Sequence, residues 1–348
     1  MENHRHTNHL NALMPSFSLK TAFFIGITLV SFKTSADWSA NVNNSVHYTD
    51  DVALFSVTRR LSLKDDPTQP VVDRPNQGGD FVYEPKAELE WSGNNALGEI
   101  QVSLDAGGYV FVDQSAYTHG LYELQMAQTF ATDTKISLDY NFVPELFLGK
   151  NVLRRENRAE SEHDELLSNH FWSIHLDQPL TNNITVRLLG RYGLRRYNAP
   201  FQHRDTQFWT LGPHLKWAIR PGIELLLGYH YEPGVADHQK AIHVDDDISY
   251  VNHYASVELK LQVLERLSAI FIFDYEKNIF TSQYVNDEHR GASENLFPGE
   301  IELLYELDKS ATVKLGWQHG SRKLTSETQS VNNNNIWLGV DYAFKPPF

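Results

Sequence analysis

The sequence predicts an all-β protein, a transmembrane antiparallel up-and-down β-barrel of about fourteen strands with short turns at one end and long loops at the other. Three observations predict it. From Trp38 onward the chain alternates apolar and polar residues with period two, in run after run, with almost no helical periodicity. The links between runs alternate short and long. Large aromatic residues collect at the ends of the apolar faces, where amphipathic rings favour a membrane–water boundary.

Composition narrows the function before any motif is read. The 348 residues carry 30 Lys+Arg against 44 Asp+Glu, a net charge of −14, and no Cys. A nucleic-acid binder needs a basic surface to displace counterions from phosphates, so nucleic acid is excluded as a partner. Without Cys there is no disulfide framework, thiolate metal site or cysteine nucleophile. Residues 1–36 read as a secretory signal peptide: Lys20 precedes the apolar run Thr21–Phe32, and the small residues Thr34-Ser35-Ala36 precede a cut. That run is too short for a spanning helix, which needs about 20 apolar residues. Residues 37–348 then form the barrel.

The fourteen runs lie near 38–49, 81–92, 97–112, 120–131, 134–145, 169–178, 183–196, 206–219, 222–232, 250–263, 267–276, 298–307, 311–322 and 334–344. In 250–263 one face is Val251, His253, Ala255, Val257, Leu259, Leu261 and Val263, opposed by Asn252, Tyr254, Ser256, Glu258, Lys260 and Gln262. The apolar faces carry no Asp, Glu, Lys or Arg, and His170 and His253 are read as their only histidines. A charge on the lipid face of a barrel costs about 2–4 kcal/mol at the midplane, which explains the exclusion. Tight links at Ser92–Ala96, Ala131–Thr134, Pro179–Asn183, Arg220–Gly222, Leu264–Arg266 and Asp308–Ser310 alternate with the longer stretches 50–80, 113–119, 146–168, 197–205, 233–249, 277–297 and 323–333. A soluble sandwich has no reason to sort its loops this way. Trp38, Trp91 and Trp217 fall at the short-turn end, and Trp172, Trp209, Tyr229 and Tyr231 toward the long-loop end.

The last run, Asn335 to Phe344, alternates apolar residues and ends in an aromatic. It resembles the carboxy-terminal signal of bacterial outer-membrane β-barrel proteins, carried here by Trp337, Val340, Tyr342 and Phe344, with Phe348 beyond it. The resemblance implies insertion by the barrel assembly machinery, contact with outer-membrane lipid and lipopolysaccharide, and both termini in the periplasm.

Fourteen strands enclose more space than eight, whose side chains fill the interior, and less than the sixteen or more of a wide channel. The inward faces carry eight basic residues: Lys86, Lys135, Arg187, Arg191, Arg195, Lys216, Lys260 and Lys314. Seventeen acidic ones oppose them, among them Glu84, Glu88, Glu90, Glu300, Glu302, Glu306, Asp177 and Asp341. Such an excess concentrates cations along a narrow pore. Arg187, Arg191 and Arg195 recur every four residues and form an inward basic ladder spanning two steps of about 13 Å. It either binds anionic groups or pairs with carboxylates on neighbouring strands. Asp177 should meet Arg187 across the Pro179–Asn183 hairpin, and Lys314 should meet Glu302 and Glu306. Loop 146–168 is the best candidate to fold into the lumen or form a short helix, and residues 52–63 read as the first strand projecting beyond the membrane and returning.

The reading is a porin-like channel for small polar or cationic solutes. Two alternatives stand beside it: a barrel for polysaccharide export or surface lipoprotein assembly, and an outer-membrane hydrolase. No Ser–His set sits on the outer rim, and the acidic loops match no metal-ligand spacing. No catalytic residue, metal or cofactor is therefore expected.

Overall fold

The structure is a computed structural model that describes residues 37–58, 77–153, 161–237 and 246–344. The expected signal peptide 1–36 and Phe348 lie outside the described residues. Fourteen strands follow in chain order: β1 (Asp37–Thr49), β2 (Asp80–Asn95), β3 (Gly98–Phe111), β4 (His119–Phe130), β5 (Lys135–Leu153), β6 (Ser161–Thr181) and β7 (Ile184–Tyr197). The second half comprises β8 (Thr206–Arg220), β9 (Ile223–Ala236), β10 (Tyr250–Leu264), β11 (Leu267–Phe280), β12 (Ser293–Glu306), β13 (Ala311–Leu324) and β14 (Val331–Phe344). Each of the fourteen alternating runs has its strand. Every strand pairs antiparallel with the next, and β1 closes on β14 from Ala40↔Phe344 to Thr49↔Asn335. Closure leaves no strand edge, as hydrocarbon requires. The tightest link, Pro221-Gly222, puts proline at the second turn position and glycine at φ +79° at the third, a conformation other residues resist.

Burial is inverted relative to a soluble protein. Val46, Leu104, Ile174, Leu211, Phe273 and Leu338 point outward and are more than half exposed, while Asn333, Asn335, Thr206 and Glu232 are fully buried inside. A continuous exposed apolar belt of this extent is untenable in water and is the surface lipid covers. Aromatic rings girdle it. Tyr140, Trp172 and Tyr192 stack in sequence across three strands, and Trp209–Tyr231 and Tyr275–Phe297 continue the girdle. At the other end Trp38 and Trp91 are register partners. His170 and His253 sit in the girdle with Nδ1 bonded to the hydroxyls of Tyr140 (2.9 Å) and Tyr229 (2.7 Å). A third histidine also faces outward: His319 stacks beside Trp317, so the two-histidine reading was incomplete.

Two loop expectations are overturned. The described parts of segment 146–168 do not fold into the lumen: β5 runs on to Leu153 and β6 starts at Ser161, and residues 154–160 lie outside the described residues. Bulges at Val143/Leu146 and Phe147/Gly149, with Glu145 at φ 45°, re-aim the ladder past Pro144 and let it continue. Leu146, Leu148 and Leu167 then pack beneath the β7–β8 loop against Tyr197 and Phe201. Nor does Val52–Thr58 extend the first strand, and residues 59–63 of that expectation lie outside the described residues. Val52–Thr58 is a helix, α1, whose Val52, Ala53, Leu54 and Phe55 are buried.

Candidate functional site: the lumen

The helix α1 forms where it does because Asp51 caps it. One carboxylate oxygen accepts the backbone N–H of Ala53 at 3.1 Å and of Gln77 at 3.3 Å, and Phe55 N–H closes the first turn on Asp51 C=O at 2.9 Å. Just before it, Asp50 is bolted to β14 by both the backbone and the side-chain amide of Asn334, at 2.7 and 2.8 Å. The helix lies in the lumen. Phe55 meets His47 of β1 and Tyr109 and Phe111 of β3 edge-on at 5.5–5.8 Å. The same apolar cluster includes Tyr254 of β10 and Leu296 of β12, on another part of the wall. The long-loop half of the lumen is therefore packed.

The short-turn half is open. A cavity of about 730 Å³ is lined by Arg220, Glu224, Lys260, Gln262 and Glu306. Another of about 600 Å³ is lined by Lys135, Asp177, Arg187, His214, Lys216 and Glu258. Along the β2–β7 wall a third, of about 290 Å³, is bounded by Glu88, Asp105, Glu123, Asp139 and Arg191.

The arginine ladder divides along this boundary. Arg187 makes a two-point pair with Asp177, at 2.5 and 2.8 Å, as the hairpin geometry requires. Arg191 donates to Ser173 Oγ at 3.1 Å and lies 4.5 Å over the Phe171 ring. Arg195 reaches Tyr250 Oη at 2.5 Å and Glu232 at 3.7 Å, with its guanidinium 4.4 Å over Phe208. That ring occupies the space a Cβ would take at Gly193. Arg187 remains 39% exposed to the cavity whereas Arg195 is 2% exposed, so solvent screens the first pair and not the second. A double-mutant cycle on Asp177→Asn and Arg187→Gln, read by denaturant unfolding in detergent, should give a coupling of about 1 kcal/mol or less. Arg195→Gln alone should cost about 3–5 kcal/mol, because it leaves Glu232 buried with a cation missing.

The acidic candidates are distributed rather than gathered. Glu84 bonds His47 Nε2 at 2.7 Å, Glu300 accepts from Gln318 at 3.2 Å and Glu302 from Trp337 Nε1 at 2.8 Å. Glu88 and Glu306 line the open cavities, and Glu90 faces Ser39 of β1 and Ser103 of β3 in register. Lys314 does not bond the Glu302–Glu306 pair. Its amine is 2.5 Å from Asp341, because the next strand on its other side offers a carboxylate two positions from its own register partner, Gly339, on the same face. Of the carboxy-terminal signal, Val340, Tyr342 and Phe344 face outward while Trp337 is buried inside.

Sequence reasoning missed two groups. In the lumen, His214 and His230 bring their Nε2 atoms within 2.6 Å, the two rings stacked at 4.8 Å. At the long-loop end, Arg204 of the β7–β8 loop joins Asp246 (2.7 Å) and Glu165 (2.8 Å), and His203 Nε2 meets the same Asp246 oxygen at 2.8 Å. Burial opposes charge at Asp246, yet Arg204 holds its carboxyl well below the usual carboxylate range. Burial also opposes the Arg204 cation, and Asp246 and Glu165 more than offset it, raising its pKa. An unusual His203-Arg204 pair flanked by acidic loops was the available signal, but partners some forty residues apart carry no spacing to read.

No family model matches the chain, and no curated protein matches it. Solved structures do. The outer membrane channel DcaP of Acinetobacter baumannii aligns over 89% of this chain and 97% of its own, with 8% identity and a TM-score of 0.52. OmpT of Vibrio cholerae, in a trimer form, aligns over 89% and 99% with 10% identity and a TM-score of 0.46. An anion-selective porin from Comamonas acidovorans aligns over 90% and 100% with 7% identity and a TM-score of 0.44. At such identities likeness establishes fold, and it rests on the first of these. The chain has the porin-like fold of a bacterial outer-membrane β-barrel.

Proposed function

We propose that the protein is an outer-membrane channel for small polar or cationic solutes, with its long-loop half closed by α1 in the state described. The observation that carries this reading is the contrast inside one lumen: a wide, charged, accessible short-turn half beneath an apolar plug held by a single loop. A barrel whose role were purely structural would have no use for so large a hydrated vestibule. The excess of carboxylates over Lys and Arg on the inward faces favours cations in it. In this reading residues 1–36 are the export signal, the termini are periplasmic and the long loops face outward. Lipopolysaccharide surrounds them, and the assembly machinery inserts the barrel through its last strand.

The test is the reversal potential across a planar bilayer under a salt gradient. Cation preference is expected, and Arg187→Glu, which replaces a cation lining the cavity with a carboxylate, should strengthen it. Anion preference in the wild type would overturn the reading.

A further inference from the structure

We propose that the long-loop end of the barrel holds one divalent transition-metal ion of the zinc class, with His289 Nδ1, Asp246 Oδ1 and Asp287 Oδ1 as its protein ligands. One ligand atom from each of these three residues lies within 4.8 Å of the others. His289 Nδ1 is 2.9 Å from Asp287 Oδ1 and 3.5 Å from Asp246 Oδ1. Two donors bound at about 2.1 Å stand about 3.0 Å apart at a right angle and about 3.4 Å apart at the tetrahedral angle, so these separations suit a common ion.

The remaining atoms of the ligands are already held. The other Asp246 oxygen takes His203 Nε2 and Arg204 Nε, at 2.8 and 2.7 Å. The other Asp287 oxygen accepts Ser282 Oγ and the Asp247 backbone N–H, the latter at 2.9 Å. Asp287 Oδ1 accepts the His289 backbone N–H at 3.0 Å and also meets His289 Nδ1 at hydrogen-bond distance, 2.9 Å, a contact the ion would replace. Outer groups that fix ligand orientation in this way are what a metal site requires. A solvated acidic loop has none, and here His289 and Asp287 are 2% and 7% exposed.

Charge and donor type select the ion. Glu165 and Asp246 share the guanidinium of Arg204, and Asp287 adds a further carboxylate, so the site carries more negative charge than Arg204 offsets and favours a divalent cation. Imidazole with carboxylate suits zinc, cobalt or nickel; calcium and magnesium take oxygen ligands. The ion would tie the β9–β10 segment to the β11–β12 loop, with His203 of the β7–β8 loop steadying Asp246, and so staple three loops across the mouth.

The experiment is equilibrium dialysis of the refolded full chain against Zn²⁺, with Co²⁺ absorption read in parallel. One retained Zn²⁺ per chain is expected, undiminished by excess Ca²⁺ or Mg²⁺, with a tetrahedral Co²⁺ band in the visible. His289→Gln and Asp287→Asn should each weaken binding at least a hundredfold, and His203→Ala about tenfold, as loss of an outer partner does. His214→Ala, in the lumen, should leave it unchanged. Folding of every variant is checked by heat-modifiable migration. The wild-type spectrum alone can sink the proposal: no Co²⁺ band and no retained Zn²⁺ overturn it. Loss of the ion in His214→Ala but not in His289→Gln overturns it too, by placing the ion at the lumen histidines.

Discussion

Replacing Val52–Thr58 with a Gly/Ser segment of equal length should raise single-channel conductance severalfold while the barrel still folds. The helix has seven residues, too few to be stable in water on its own, so it exists because its apolar side chains are buried. Phe55 is the keystone, fully buried among three aromatic rings. Phe55→Ala should cost the docked state about 3–5 kcal/mol and produce a channel that flickers between the closed and open levels. Phe55→Asp, which must bury a carboxylate to stay docked, should hold it open. The Asp50–Asn334 bonds lie outside the helix and keep the loop attached at its root in every variant. Conductance unchanged in all three variants would show that ions bypass α1 and that the lumen is gated elsewhere.

What was legible in the sequence follows from the range of the forces involved. Period two is a local consequence of strand geometry, so the outward face of β10, from Val251 to Val263, could be read residue by residue. The Asp177–Arg187 pair was equally legible, because a short hairpin fixes which residues stand opposite. Contacts across three or more strands leave no such trace. Arg195 is buried because Tyr250, three strands away on β10, turns its hydroxyl toward it, and nothing near residue 195 announces that. The extended β5–β6 hairpin was obscured because the bulges at Val143/Leu146 and Phe147/Gly149 break the alternation that a run is read by, whereas the ladder resumes beyond them. Helix α1 was obscured differently. Val52, Leu54 and Phe55 resemble strand spacing over so few residues, and only the Asp51 cap argued otherwise. In the lumen the sequence supplied the charges but not their pairing, which is why Lys314 was matched to the wrong wall.

Trp337→Ala should destabilise the barrel by about 3–5 kcal/mol in urea unfolding from phospholipid vesicles, more than any single substitution at the lipid-facing positions beside it. Trp337 is 1% exposed, stacks on His47 at 5.6 Å and donates to Glu302 at 2.8 Å. It lies flat over its register partner Gly316, where an added Cβ would fall 2.0 Å from the ring. Gly316→Ala should therefore be harmful too, by expelling the ring rather than deleting it. Trp337→Phe separates packing from bonding: it keeps most of the area but leaves Glu302 without its donor, a loss of about 1–3 kcal/mol. The adjacent residue provides the control. Leu338 faces the other way and is 58% exposed, so Leu338→Ala should cost little while Leu338→Arg should cost about 2–4 kcal/mol if it lies near the bilayer midplane. Two neighbours on one strand thus answer to opposite rules, one to packing and one to lipid. If Trp337→Ala cost less than 1 kcal/mol and Leu338→Ala more, the inside and outside of the strand would have to be exchanged, and with them the lumen and every charge placed in it.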